Sequence, residues 1–259
     1  MKTRLLLTVL ALACIIGGAS AQNDNAQDIS PADTKNLVKV NLFALPLNNF
    51  SFQYERAIGK KTAVGLGFRY MPNSGVPLKN SLEQVIDDPE TWDQIHSFKT
   101  GNVAITPEIR FYAGKGVFRG FYFAPFARIS RFSAELPFEY EFEAENPDGS
   151  TFTRTENILL KGNVNTITAG ILLGAQWKVS RLVYLDWWIL GPQYGGSKGH
   201  IIGSKNLLPE EQNELRAELS DLDIPLVDAT TSVNSSGARM DFKGPWAGLR
   251  AGLNLGIRF

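Results

Sequence analysis

The chain has 259 residues, with 26 lysines and arginines against 26 aspartates and glutamates, and one cysteine. A formal charge of zero offers no basic surface, so nucleic acid is excluded as an expected partner. After the first residues no apolar run approaches the length of about 18 that a membrane-crossing helix needs, so any crossing must be made by strands.

Residues 1–21 read as a secretory signal: Lys2 and Arg4 form a basic start, Leu5 to Ile16 an apolar run, and Ala19-Ser20-Ala21 a small-x-small cleavage site. A lipoprotein reading competes through Cys14 after Leu12-Ala13, but Ile15 and Ile16 continue the apolar run past it. Cleavage after Ala21 removes Cys14, which leaves no disulfide or thiolate chemistry. It also removes Lys2 and Arg4, taking the basic count from 26 to 24 against 26 acidic, a net of −2. Residues 22–36 are polar, contain Pro31 and have no apolar period, which predicts a flexible periplasmic leader.

From Leu37 the chain alternates with the two-residue period of strands. Leu37–Leu45 sets Val38, Val40, Leu42 and Ala44 against Lys39, Asn41 and Phe43, and Pro46 to Asn48 turns the chain. Asn49–Ala57 sets Phe50, Phe52 and Tyr54 against Ser51, Gln53 and Glu55, and Gly59-Lys60-Lys61 turns it again. Thr62–Tyr70 sets Val64, Leu66, Phe68 and Tyr70 against Ala63, Gly65, Gly67 and Arg69. Residues 71–98 break the period and suggest a short helix near Leu82, Val85 and Ile86. Gly101–Tyr112 and Phe121–Phe132 follow, with Gly114 to Gly120 as the turn between them. Pro107 and Pro125 lie inside these two strands, and each predicts a bulge. Residues 133–162 are a second excursion holding a hairpin around Asn146-Pro147-Asp148-Gly149, which predicts Glu141 opposite Arg154. Asn163–Val179 and Leu182–Leu190 come next, separated by a short turn. Residues 191–241 are the longest excursion, with a helix predicted from Pro209 to Leu222 whose Leu215, Leu219 and Leu222 share a face. The last strand puts Leu249, Ala251, Leu253, Leu255, Ile257 and Phe259 on one side and Arg250, Gly252, Asn254, Gly256 and Arg258 on the other.

Eight strands with one apolar and one polar face predict an all-β fold, an antiparallel transmembrane up-and-down barrel with lipid outside. The gaps sort by parity: the second, fourth and sixth are short, and the third, fifth and seventh are long. Outer-membrane barrels have this asymmetry. A barrel of this size is filled by its own side chains, and buried charges must pair. An interior network of Glu55, Glu108 and Asp186 with Arg69, Arg110, Arg128 and Arg250 is therefore expected, as a plug in the preferred reading or a gated ion path in the other. Phe68, Tyr70, Phe111, Phe121, Trp177 and Trp187 sit on apolar faces and suggest girdles at the lipid–water boundaries; a ligand-binding aromatic box is the competing reading.

No catalytic residue, metal site or cofactor is expected. His96 and His200 are the only histidines and both fall in excursions; Ser197 lies three residues before His200. A nucleophile–His pair at the rim would make the chain a lipid A–modifying enzyme, and ordinary loop histidines are the other reading. There is no Gly-Lys-Ser/Thr phosphate loop, and Gly65-x-Gly67 lacks the helix of a dinucleotide fingerprint.

Several stretches resemble a family of small outer-membrane β-barrels from Bacteroidota, OmpA-transmembrane-like in architecture and largely of unknown function. They are Val40-Asn41-Leu42 running on to Phe52-Gln53-Tyr54-Glu55-Arg56, Ile105-Thr106-Pro107-Glu108-Ile109-Arg110-Phe111-Tyr112, Gly120-Phe121-Tyr122, Leu185-Asp186-Trp187-Trp188-Ile189-Leu190-Gly191-Pro192 and the end from Gly248 to Phe259. The resemblance implies a bacterial outer-membrane location for 37–259. It implies an accessory surface role, in some cases beside fimbrial components, with no catalytic residues to carry over. Phe259 resembles the terminal signal read by the outer-membrane barrel assembly machinery. The expected partners are outer-membrane lipid, that machinery transiently, and an unknown surface protein or polymer. The expected function is a non-enzymatic barrel whose long loops form an interaction surface. The alternatives are the lipid A enzyme and a soluble periplasmic barrel that binds an apolar ligand.

Overall fold

The computed structural model describes residues 35–77, 96–145, 150–220 and 226–259. The signal, most of the leader, the helix expected near Leu82, the turn Asn146 to Gly149 and Leu222 lie outside them. The described chain is all-β apart from one α-helix and short turns. Its strands are β1 (Asn36–Asn41), β2 (Phe50–Ala57), β3 (Thr62–Gly75), β4 (Lys99–Tyr112), β5 (Gly120–Glu145), β6 (Thr151–Lys178), β7 (Val183–Ser204), β8 (Asp228–Asn234) and β9 (Gly237–Arg258), with helix α1 (Pro209–Ser220) between β7 and β8.

All nine strands belong to one antiparallel sheet in the order β1-β2-β3-β4-β5-β6-β7-β9-β8, and β1 also pairs with β9. The sheet therefore closes in a ring, with β8 attached to β9 outside the closing seam. Backbone bonds between Asn36 and Phe259 run both ways, 3.1 and 3.0 Å, and zip the seam at its end. Closure removes the free edges that would otherwise leave backbone donors and acceptors unpaired.

The turns at 58–61, 113–119 and 179–182 gather at one end of the ring, here the short-turn end, and the remaining connections gather at the other. Toward that long-loop end β5, β6, β7 and β9 run far beyond their expected limits. Most of 133–162 and the start of 191–241 are strand rather than loop, and β8 is a ninth strand that the alternation does not announce. The reason is that apolar alternation reports what a face touches, not the backbone. β5 and β6 pair without a break from Gly120↔Gln176 to Glu145↔Thr151, so the ladder holds where neither face needs to be oily. The tight link 235–236 between β8 and β9 is closed by Gly237, whose φ of 135° suits a residue without a Cβ.

Local corrections follow the same logic. Phe142, not Glu141, stands opposite Arg154, because five residues (146–150) separate the paired Glu145 and Thr151. Arg154 instead reaches Glu156 at 2.6 Å. Neither proline makes a bulge. The register is the same on both sides of Pro107, Ile105↔Ile129 and Glu108↔Phe126, and Pro125 stays in register with Ile171. A missing N–H interrupts a ladder locally without adding a residue. The register shifts fall elsewhere, between Met71 and Ser74 and around Ile189 and Leu190, where β7 carries one residue more than both of its neighbours. β1 ends at Asn41, before the expected Leu45. The Asn41 Oδ1 then accepts the N–H of Ala44 at 3.1 Å, Leu45–Leu47 form a 3-10 turn, and Asn48 adopts a left-handed φ of 52°. Past Asn41 the strand parity lapses, so Phe43 is exposed and Ala44 buried, the reverse of the expected faces.

Helix α1 packs on the long-loop side. Leu215 and Leu207 bury against Ile158 of β6, and Leu219 is half-buried. Glu211 accepts the N–H of Leu208 at 2.6 Å, which satisfies one of the donors that a helix start leaves free. Lys205 donates to Glu156 at 3.1 Å, a bond that holds this carboxyl below its usual range, and lies 3.4 Å from Glu211.

Candidate functional site

The ring has opposite chemistry on its two faces. The outward residues are exposed and oily: Leu66, Ile105, Ile129, Ile167, Ile171, Leu249 and Ile257 each expose between 48% and 68% of their surface. The inward residues are buried; polar ones, among them Lys39, Gln53, Glu55, Glu108, Arg110, Gln176, Asp186, Arg250 and Asn254, sit beside an apolar cluster of Leu37, Phe118, Phe126, Leu172 and Trp188. Strand parity sends alternate side chains to the two faces, so one sequence pattern builds both.

The interior centres on Asp186 of β7. Its Oδ2 accepts from Lys39 Nζ at 2.6 Å, Arg110 Nη1 at 2.8 Å and Trp188 Nε1 at 3.1 Å, and its Oδ1 accepts from Tyr122 Oη at 2.7 Å. Lys39 also pairs with Glu55 and donates to Gln176 Oε1 at 3.1 Å. Glu55 accepts from Tyr112 Oη at 2.6 Å. Arg110 reaches Glu108 at 2.5 Å and Gln53 at 2.8 Å, and its guanidinium lies over the Tyr122 ring at 4.3 Å. The second Glu108 oxygen accepts from Arg250 at 2.5 Å, and Arg250 stacks 3.9 Å from the centre of the Trp188 ring. Gly65 makes room for Glu108, since a Cβ there would stand 2.9 Å from the glutamate Cγ.

Five of the seven charges expected inside therefore join one network: Glu55, Glu108, Arg110, Asp186 and Arg250. Arg69 and Arg128 face the same lumen but form no ion pair among the described residues; Arg128 donates to Thr106 Oγ1 at 3.1 Å. Sequence reasoning missed Lys39 as a member, along with the neutral partners Gln53, Gln176, Tyr112, Tyr122 and Trp188. Their inward parity was legible, but polar character alone does not tell which inward side chains meet across a ring. Taking two charges out of water costs several kcal/mol per ion, and only multiple partners offset it; each carboxylate here has at least two cationic neighbours. The network joins side chains of β1, β2, β4, β5, β6, β7 and β9 across the lumen, so purified protein in planar bilayers is expected to show no stable nanosiemens-scale openings. Steady conductance of that size would mean the layer is not closed.

The six aromatic residues expected at the boundaries all point outward and are at least 37% exposed. Phe111, Phe121 and Trp177 lie near the short-turn end, Tyr70 lies toward the long-loop end, and Phe68 and Trp187 lie between. Phe111 stacks on Phe123 with ring centres 5.0 Å apart. Ser197 and His200 do not converge. Both are in β7, and a separation of three residues sends them to opposite faces. Ser197 Oγ donates to the Gly244 carbonyl at 3.1 Å, and His200 stands opposite Asp241. Asp186 is committed to the interior network, and His96 lies at the foot of β4, remote in sequence from both.

No family model, curated protein or solved structure matches this chain.

Proposed function

We propose that this chain is a non-enzymatic outer-membrane β-barrel whose long-loop side forms an interaction surface, as an accessory to fimbriae or another surface assembly of Bacteroidota. The observation that carries the reading is the inverted ring, with a belt of exposed Val, Leu, Ile and Phe outside and a charged, hydrogen-bonded interior. Soluble proteins rarely expose more than a few hundred Å² of continuous apolar surface, whereas a barrel surrounded by hydrocarbon needs such a belt. The signal-like pattern of residues 1–21 supports export. A surface role rests on the second feature, the extended β5–β6 hairpin, β7, β8 and α1 beyond the belt, because elements raised on a rigid scaffold are where binding concentrates. A soluble periplasmic barrel binding an apolar ligand would leave the outward belt without a partner.

Single cysteines test the topology on intact cells, because Cys14 is the chain's only native cysteine. Ser150→Cys and Ser236→Cys at the long-loop end are expected to react with a membrane-impermeant maleimide, and Lys60→Cys at the short-turn end only after lysis. Labelling of Lys60→Cys alone would invert the orientation. Recovery of folded protein in plain buffer without detergent would remove the membrane reading altogether.

A further inference from the structure

We propose that the lumen on the long-loop side of the Glu108–Arg250 pair is a binding site for a phosphate group, gripped by Arg69 and Arg128. The interior carries more cations than carboxylates: Glu55, Glu108 and Asp186 are all engaged by Lys39, Arg110 and Arg250. Arg69 and Arg128 are left over. Arg128 is 8% exposed with a hydroxyl as its partner, and the buried Nε of Arg69 has no partner in the protein. A guanidinium out of water without a paired counter-ion is costly; these two also repel each other and Arg250, and the attraction of Glu108 for Arg128 is weaker than either repulsion.

The two side chains are placed to act together. β3 and β5 flank β4, and Arg69 registers with Ala104 while Arg128 registers with Thr168 of β6. The residues between them on the inward face, Gly67, Ala104 and Thr106, are small and leave room rather than filling it. The space has a floor and a roof. Arg250 lies over the Phe126 ring at 5.3 Å on one side. On the other, Phe132 of β5 meets Trp246 of β9 across the lumen with ring centres 5.1 Å apart. Arg69 stands opposite Ala104 and Arg128 donates to Thr106, two residues further along the same inward face of β4; two planar forks at that spacing suit an oxyanion with several acceptor oxygens, and phosphate also carries enough charge to balance both.

There are two routes in. One is the long-loop mouth, past the Phe132–Trp246 pair. The other is the seam. β1 leaves β9 after Asn41, with a last bond from Leu42 to Leu253, and β8 joins β9 only from Lys243. Among the described residues, Gly244–Gly252 of β9 pair with β7 alone. That stretch includes Arg250 and Gly248, so beside the cations the wall has no ladder on its β1 side among the described residues. Free phosphate would use the mouth. A phosphate carried on an acyl chain would use the seam, with its chain remaining outside.

The test is calorimetric titration of the full mature protein folded in an uncharged detergent, first with inorganic phosphate and then with dodecyl phosphate, using dodecyl maltoside as the blank. Saturable binding of at least one phosphate compound is expected, weakened about tenfold or more by Arg69→Gln and by Arg128→Gln. Arg131→Gln, on the outward face of β5, is expected to leave it unchanged. Equal binding of both compounds points to the mouth, and binding of dodecyl phosphate alone points to the seam. If a glutamine variant does not fold, Arg69→Lys and Arg128→Lys, which keep the charge and lose the fork, are expected to weaken binding by a smaller factor. Absence of saturable binding up to roughly 10 mM, or affinity indifferent to all four substitutions, overturns the proposal. Because folding in detergent is scored separately by the gel shift between heated and unheated samples, loss of phosphate binding in a well-folded barrel counts against this site alone.

Discussion

Asp186→Asn is expected to cost the folded barrel roughly 3–5 kcal/mol, the loss seen when one partner of a buried ion network is removed. The substitution keeps the shape but removes the charge that faces Lys39 Nζ and Arg110 Nη1 at 2.6 and 2.8 Å. Both cations are fully buried, so neither can turn to water for compensation. Urea unfolding of the detergent-folded protein, followed by the electrophoretic shift between folded and unfolded forms, gives the difference. The partner substitution separates pairing from packing. Lys39→Met in the Asp186→Asn background brings the network back to two cations, Arg110 and Arg250, against two carboxylates, Glu55 and Glu108, and is expected to recover part of the loss, so the two changes together cost less than their sum. Additive losses would mean that Lys39 and Asp186 act independently, and that the network is only a list of neighbours.

The second large effect concerns the outer face. Ile171→Arg is expected to destabilise the protein in phospholipid by about 2–4 kcal/mol, as for a cation on the lipid side near the bilayer midplane. Ile171 is 54% exposed and lies well inside the closed part of β6, opposite Pro125. Thr155→Arg, on the same strand in the long-loop extension and also exposed, is expected to change stability by no more than about 0.5 kcal/mol. In the proposed reading the two sites differ in the medium they meet, since both are exposed on the protein. If both arginines are equally tolerated, the belt is facing water and the membrane assignment fails with it.

These two experiments probe what was legible in the residues and what was not. The alternation of Val64, Leu66 and Phe68 with Ala63, Gly65 and Gly67 revealed β3 and its faces because hydrocarbon-like and polar surroundings select opposite residues at every second position. The same signal lapses at Ser133 and returns as the alternation of Phe138, Tyr140 and Phe142 with Glu139, Glu141 and Glu143, which reads locally as a separate hairpin and not as the continuation of β5. The strand continues there because β6 supplies its hydrogen bonds, a condition that no local window contains. Asp228–Asn234 was invisible for that reason too: seven mixed residues become β8 only because the end of β9 lies alongside. Within the lumen, parity correctly turned Glu55, Glu108, Arg110, Asp186 and Arg250 inward. It could not rank them by height, so it grouped Arg69 and Arg128 with a network that sits one layer away. Pro107 and Pro125 misled because a missing donor was equated with an inserted residue. The actual register shifts lie between Met71 and Ser74, around Pro72, and at Ile189 and Leu190, just before Gly191-Pro192.

The hairpin of β5 and β6 sets a length as well as a surface. β5 alone has 26 residues, roughly 85 Å of strand at about 3.3 Å per residue, while the oily part of a bilayer is only about 30 Å thick. If the belt spans a bilayer as proposed, with strands tilted by about 45°, about half of that ribbon would stand clear of the lipid, stiffened by the unbroken β5–β6 ladder. In the proposed outer-membrane reading, a partner that binds the far end of the β5–β6 ladder would be held at a set height above the headgroups. Trimming it by matched pairs of residues would lower that height in steps while leaving the barrel below untouched.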